Sequence, residues 1–479
     1  MKNVIIKTLI LVLVLIQPII CIKTLTANTV YDININSKKT IRQIEPQMYG
    51  INGFGALVLD WGKNPKYMEN LRLMNPKNIR FHDNIQTDAV TNWRAFAYED
   101  GKTWAKWKLN DFAEMIKLWR KNGINADITI TIAHFPKWMK KYSPTHNGKK
   151  SNVELLHPSE FDNYANFLAD LVKILNVDLK LGINKFEVGN ELDSIYSVAL
   201  QDGGFPRKMS ELAVIYNKAS NKMKAMDNNI NVGGPSLTRA DRFDGINEFL
   251  VQLRVLNNKN LNFFSYHTYV SGDNRTSDDF INERITGNIK SFTRKIRSLL
   301  DSNNFANTPI ILNEFNISWT DQTVDIRMTN QKGAVFDALA YTEATKEGIV
   351  QISSWADKDN IYGKMDDNYI RRPGLIVLKM FSDLVKGSMI QSSYNIPNFS
   401  ALSYKSNDKT GIVLINSSNS PISIKLNGFD TSYSSLLKYT ISRDGKNMTR
   451  ETIRYSPQSI FNLESNSVTV LESRVTLQK

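Results

Sequence analysis

The chain has 479 residues, 42% hydrophobic and 22% charged, with 24 glycines and 14 prolines, a balance that excludes collagen-like, coiled-coil and wholly disordered chains. At roughly 150 residues per domain the length allows about three shares, and one α/β barrel of about 250 residues or more absorbs two of them. A single cysteine, Cys21, excludes an internal disulfide framework and a thiolate-clustered metal site within one chain, while the net charge of +13 is dispersed among 47 acids, so nucleic acid is not expected as a partner.

Residues 1–27 begin with Lys2 and Lys7 and run into an apolar stretch at 8–20. Thirteen apolar residues are too few for a comfortable membrane span and fit a secretory signal peptide. Cleavage and retention as an N-terminal anchor, by lipid on Cys21 or uncleaved, both stay open. The expected location is secreted or cell-envelope, and no later stretch of 18 apolar residues suggests another membrane contact.

Residues 28–44 alternate apolar and polar with no helix after them, and are expected to add a strand to a C-terminal sheet. From 45 to 388, short β-branched runs at 47–52, 78–82, 126–132, 185–189, 230–233, 263–267, 309–312 and 348–354 alternate with helical periods. One such period is Phe112, Met115, Ile116 and Trp119; another is Phe161, Phe167, Leu171 and Leu175. Eight strands each trailed by a helix predict an α/β fold, a (β/α)8 TIM barrel. An open doubly wound sheet is the alternative, but no GxGxxG follows the first strand. Residues 389–479 turn to short alternating runs at 400–404, 411–415, 422–426, 436–441 and 467–471, separated by Asn, Ser and Gly turns. They predict an accessory antiparallel β-sandwich.

In such a barrel the reacting groups stand at the carboxyl ends of the strands. The fourth run ends in Asn190 and Glu191, and the seventh in Asn313 and Glu314. Two carboxylates facing across a barrel mouth suit glycosidic bond cleavage, which needs no metal or cofactor. The five histidines (His82, His134, His146, His157, His267) form no HExxH or i,i+4 pair, so no metal is expected. An isolated glutamate at a strand end is ordinarily solvated or ion-paired, so the weight rests on the pair and the other strand ends.

Those ends carry a resemblance. Asn190-Glu191 with Glu314 resembles the retaining clan A glycoside hydrolases. Arg80, Phe81, His82 and Asp83 on the second strand, Val232, Gly233, Gly234 and Pro235 on the fifth, His267, Thr268 and Tyr269 on the sixth, and Trp355 after the eighth are similar to glycoside hydrolase family 39. That family comprises β-xylosidases, α-L-iduronidases and bacterial exopolysaccharide hydrolases, built as a barrel with a β-sandwich. The resemblance implies Glu191 as general acid/base and Glu314 as nucleophile. It implies Asn190 on the sugar 2-hydroxyl, Arg80, His267 and Tyr269 orienting nucleophile or sugar, His82 lining the subsite and Trp355 as its apolar floor. The acid should have a raised pKa and the nucleophile should stay ionised beside Arg80.

This chain lacks the Pro that commonly follows the acid/base and the Trp that follows the nucleophile, reading Leu192 and Phe315 instead; that bears on the substrate more than on the reaction. Trp61, Trp93, Trp104 and Trp107 suit either extra subsites or packing beneath loops. The expected partner is a polysaccharide or oligosaccharide, which the positive charge inclines toward an anionic polymer, with Lys137, Arg239 and Lys358 as candidate contacts. A non-catalytic carbohydrate-binding or surface-assembly protein and a transglycosylase are the rival readings, and the sequence says nothing of oligomeric state.

Overall fold

A computed structural model describes residues 29–57, 59–83, 103–133, 135–136, 138–146, 148–197, 208–320, 322, 324–406, 409–429 and 434–473. The expected signal or anchor with Cys21, and Trp93, His134 and Lys137, lie outside the described residues.

Eight parallel strands close a barrel: Tyr49–Asn52, Asn78–Asp83, Asp127–Ile132, Lys185–Val188, Asn231–Leu237, Phe263–Ser271, Ile310–Ser318 and Gln351–Ser354. Helices follow them in turn, at Pro65–Met74, Lys106–Lys121, Phe161–Val172, Met209–Met226, Phe243–Val255, Asp278–Ser302, Gln331–Glu347 and Pro373–Leu384. The period-2 alternation of each strand sorts its side chains. On the second strand Ile79 and Phe81 join the apolar core beneath the helices, Phe81 meeting Phe112 edge-on at 5.2 Å. Arg80, between them, points into the barrel and is wholly buried.

Four strands depart from expectation by three residues or more at one end. The sixth and seventh strands run on to Ser271 and Ser318, past the polar residues that seemed to end them, because those residues face the barrel interior and keep their backbones in register, His267 beside Glu314 and Tyr269 beside Asn316. The fifth strand extends to Leu237. The eighth begins three residues late, since Gly348, at φ 78°, caps the preceding helix through the Thr345 carbonyl.

Among the described residues the C-terminal sheet has nine strands: the expected N-terminal strand Val30–Gln43 and the five expected C-terminal ones, with Ser388–Ser393, Met448–Arg454 and Ile460–Leu463 in addition. It is not wholly antiparallel. The long strand Val30–Gln43 pairs antiparallel with Ser388–Ser393 through residues 34–43 but parallel with Ile422–Asn427 through residues 30–34. It spans both leaves, and its register shifts between Asn36 and Thr40 mark the bend from one to the other. Ala401, Ile412, Leu414, Leu436 and Leu471 face Ile33, Ile35, Ile424, Leu426 and Phe461 in a core of their own. The alternate residues Leu402, Tyr404, Val413, Ile415, Val468 and Val470 join the barrel's core instead. The helix Gln331–Glu347 lies between sheet and barrel, buried on nearly every side, and its many alanines let both approach. No helix among the described residues is long and apolar enough to cross a membrane.

Candidate active site

The carboxyl ends of the barrel strands surround a cleft of about 790 Å³. It is lined by His82, Asn190, Glu191, His267, Tyr269, Glu314 and Trp355, so the fold brings together seven of the eight residues singled out in the sequence. The eighth, Arg80, lies directly beneath them.

Arg80 organises the floor. Its Nη1 donates to Glu314 Oε1 at 2.7 Å and to Asn52 Oδ1 at 2.9 Å, its Nε to Glu187 Oε2 at 2.7 Å, and its Nη2 to Asn190 Oδ1 at 2.7 Å and Ser236 Oγ at 3.0 Å. All the guanidinium nitrogens are thus satisfied in the dry interior, as a buried cation requires. Burial opposes the charge on Arg80, but Glu187 and Glu314 more than offset it and raise its pKa. Glu187 is held below the usual carboxylate range in the same way: burial pushes it up, while Arg80, Thr131 and Ser265 pull it down.

Glu314 accepts Tyr269 Oη on its second oxygen at 3.0 Å, and the His267 ring lies 3.5 Å from that oxygen. Its side chain is only 7% exposed. Both carboxylate oxygens are therefore fixed by donors, and the charge is paired with Arg80. Burial, then the charges of Glu314 and Glu191, keep the Tyr269 hydroxyl protonated well above its ordinary pKa, so it remains a donor.

Glu191 stands higher, with its side chain 37% exposed to the cleft. Gly189, at φ 84°, makes the turn that lifts it there, and a Cβ on that glycine would sit 2.4 Å from the Leu192 side chain. Glu191 itself adopts φ 53°, a left-handed conformation costly for a residue with a Cβ. Its N–H is tied to the Ser236 carbonyl at 2.9 Å, and Asp193, two residues on, accepts the Thr238 and Arg239 N–H groups at 3.0 Å. The end of the fourth strand is thereby locked to the loop after the fifth. Asp193 pays for its burial with a pKa raised to about 6.

His267 joins the two carboxylates, its Nδ1 2.8 Å from Glu191 Oε1. Its pKa is raised: burial opposes the charge, but Glu314 and Glu191 prevail. Glu191 moves the other way. Burial pushes it up, yet the bond and charge of His267 and the bond from Thr238 hold it below its ordinary value. The expectation of a raised pKa on the acid is therefore corrected: beside His267 the Glu191 carboxyl lies below its ordinary value and the imidazole above its own, the pattern of two coupled groups sharing a proton.

Asn190 presents its amide oxygen to Arg80 and Ser236, at 2.7 and 3.2 Å, which turns its amide nitrogen toward the cleft it lines. Trp355 and His82 meet edge-on at 5.8 Å on the cleft wall. Three buried residues that matter here were not singled out, Asn52, Glu187 and Ser236, and Asn313, named only as the close of its strand, bonds two of them. Asn313 Nδ2 donates to Glu187 Oε1 at 2.6 Å and to Ser236 Oγ at 2.9 Å. The available signal was a polar side chain at every second place of an otherwise apolar strand, a position a helix-facing side would not tolerate.

Of the two readings left open for the tryptophans, packing holds for Trp104 and Trp61. Trp104 is buried and stacks on Phe167 at 4.0 Å, and half-buried Trp61 lies 3.9 Å beneath the Lys358 ammonium; neither lines the cleft, nor does exposed Trp107. Trp319, not singled out, does. Of the basic candidates, Lys358 is buried and paired with Asp367 at 2.8 Å, and Arg239 lines the cleft but is forked onto Asp241. Glu191, His267 and Glu314 each bring one ligand-type atom within 4.8 Å of the others. A cation drawn there would meet the fixed charge of Arg80 behind Glu314.

Residues 31–390 match the family described as Glycosyl hydrolases family 39. No curated protein sequence matches the chain. Among solved structures, the fold resembles a family 39 enzyme from Xanthomonas axonopodis (15% identity, TM-score 0.63, covering 93% of this chain and 97% of that one). It also resembles a monomeric β-xylosidase from Caulobacter crescentus (16%, 0.63, 93% and 100%) and a glucosidase from Croceicoccus marinus (14%, 0.66, 94% and 100%).

Proposed function

The chain belongs to glycosyl hydrolase family 39 and is a glycosidase of the retaining clan A type, and on that footing we propose that it cleaves an oligosaccharide or polysaccharide by double displacement with Glu314 as nucleophile and Glu191 as acid and base. The observation that carries this reading is the approach of a Glu191 oxygen and a Glu314 oxygen to within 4.8 Å. Direct attack on the anomeric carbon calls for carboxyls about 5–5.5 Å apart, whereas inversion leaves room for water at about 6.5–9.5 Å.

In the first step Glu314 Oε forms a bond to the anomeric carbon as the bond to the leaving oxygen breaks and Glu191 passes that oxygen its proton. In the second, Glu191 takes a proton from water, the resulting hydroxide attacks the anomeric carbon, and Glu314 leaves as carboxylate. Arg80 and Tyr269 hold the nucleophile aimed, each donating to one of its two carboxylate oxygens. The Asn190 amide would donate to the sugar 2-hydroxyl and Trp355 would pack on the apolar face of the ring, a role supported by the place of both on the cleft lining. The charged start and apolar run at 8–20 support export to the cell envelope or medium.

The test is a panel of neutral and acidic polysaccharides and aryl glycosides, with the anomer of the first product followed by proton NMR. Net retention supports the reading; an inverted first product, or no release from any substrate, contradicts it.

A further inference from the structure

Arg284 and Trp319 stand on the rim of the same cleft and are not engaged by the chemistry above. Trp319 is 67% exposed, yet its place is fixed: its N–H extends the sheet by bonding the Ser271 carbonyl at 3.1 Å, and its indole lies against the Gly272 backbone, where a Cβ would fall 2.3 Å from the ring. An indole fixed in place and left open in a cleft is a platform for the C–H face of a sugar. Arg284 projects from the helix Asp278–Ser302. Its neighbours one turn away are Phe280, whose ring centroid lies 5.4 Å from the guanidinium, and Asn288, which is tied to Thr268 at 3.1 Å. It has no carboxylate partner among the described residues, unlike Arg239 on the same cleft, which Asp241 neutralises.

We infer that Trp319 and Arg284 form a second sugar subsite beside the cleaved bond, one that selects a unit bearing an anionic group, a uronic acid carboxylate or a sulfate ester. The inference rests on the glycosidase reading and adds to it the class of sugar. The fork of Arg284 suits either anion bidentately while the ring of the same sugar lies on the indole.

The experiment pairs each acidic oligosaccharide with its neutral counterpart: a uronic acid oligomer with its carboxyl-reduced form, and a sulfated oligomer with its desulfated form. kcat/KM is measured on all four for the wild type and for Arg284→Gln and Arg284→Lys. The wild type should prefer one acidic member over its neutral partner. Arg284→Gln should cut that preference about five- to tenfold through KM, and Arg284→Lys should restore part of it. Added salt should erode the wild-type preference more than that of Arg284→Gln. Whichever pair responds identifies the anion. Equal rates on acidic and neutral members, or an Arg284→Gln preference equal to that of the wild type, would overturn the subsite while leaving hydrolysis, read on the neutral members, standing.

Discussion

Arg80 donates to Glu314 Oε1 across 2.7 Å with the guanidinium wholly buried and the carboxylate nearly so. The same cation also holds Glu187 at 2.7 Å, so one positive charge balances two buried acids. Arg80→Met would leave both uncompensated. A loss on the order of 3–5 kcal/mol in unfolding free energy is expected, read from the denaturant midpoint. Arg80→Lys keeps the charge but not the fork, so it should fold better while losing roughly a hundredfold in kcat, since the nucleophile would no longer be aimed.

Removing the acid should discriminate between substrates. Glu191→Ala is expected to cost about 10²–10⁴ in kcat/KM on substrates with poor leaving groups, which need a proton, and far less on dinitrophenyl glycosides, which do not. Azide should restore turnover by taking the place vacated by Glu191. Equal losses on both leaving groups would remove Glu191 from the acid role.

The pH profile reports the shared proton. His267 has its pKa raised above the ordinary 6.5 and Glu191 has its pKa lowered, so the pair keeps its transferable proton until the pH passes the raised histidine value. The alkaline limb of kcat/KM should therefore lie above about 6.5. In His267→Gln only the carboxyl can carry the proton, and the limb should move to lower pH. A limb that stays in place would show that the histidine does not hold the proton.

Asp193 provides a stability test. Its folded pKa of about 6 lies above the 3.8 of an unperturbed aspartate, so the folded state binds this proton more tightly than the unfolded one. Its ionisation therefore costs stability, and that cost grows as pH rises from about 4 through 6. Asp193→Asn removes the titration and can still accept one backbone bond. Its unfolding free energy relative to wild type should improve by up to about 3 kcal/mol between pH 4 and pH 8, measured by urea denaturation at each pH. A difference that does not vary with pH would contradict the assignment.

The barrel was readable because each strand is a β-branched run followed by a helical period, and because Glu191 and Glu314 close two such runs. Strand ends were harder. His267, Tyr269 and Asn313 look like the polar close of a strand, whereas inside a barrel they are its inward face. Met448–Arg454 was missed because an exposed edge strand has no apolar alternation to display. Glu187 is a lone polar residue within a short apolar run, and Trp319 stands five positions beyond Glu314, just past the end of the extended seventh strand, so neither is marked by local spacing. The partner of each buried polar group depends on the neighbouring strands, which local spacing does not encode.

The most direct test of the account is the site of covalent attachment. An activated 2-deoxy-2-fluoro glycoside of the sugar identified by the substrate panel should arrest the enzyme after the first displacement, and peptide mapping by mass spectrometry then locates the ester. One label per chain on Glu314 is the expected result. A label on Glu191 or any other residue, or complete hydrolysis with inversion and no trapped species, would contradict it.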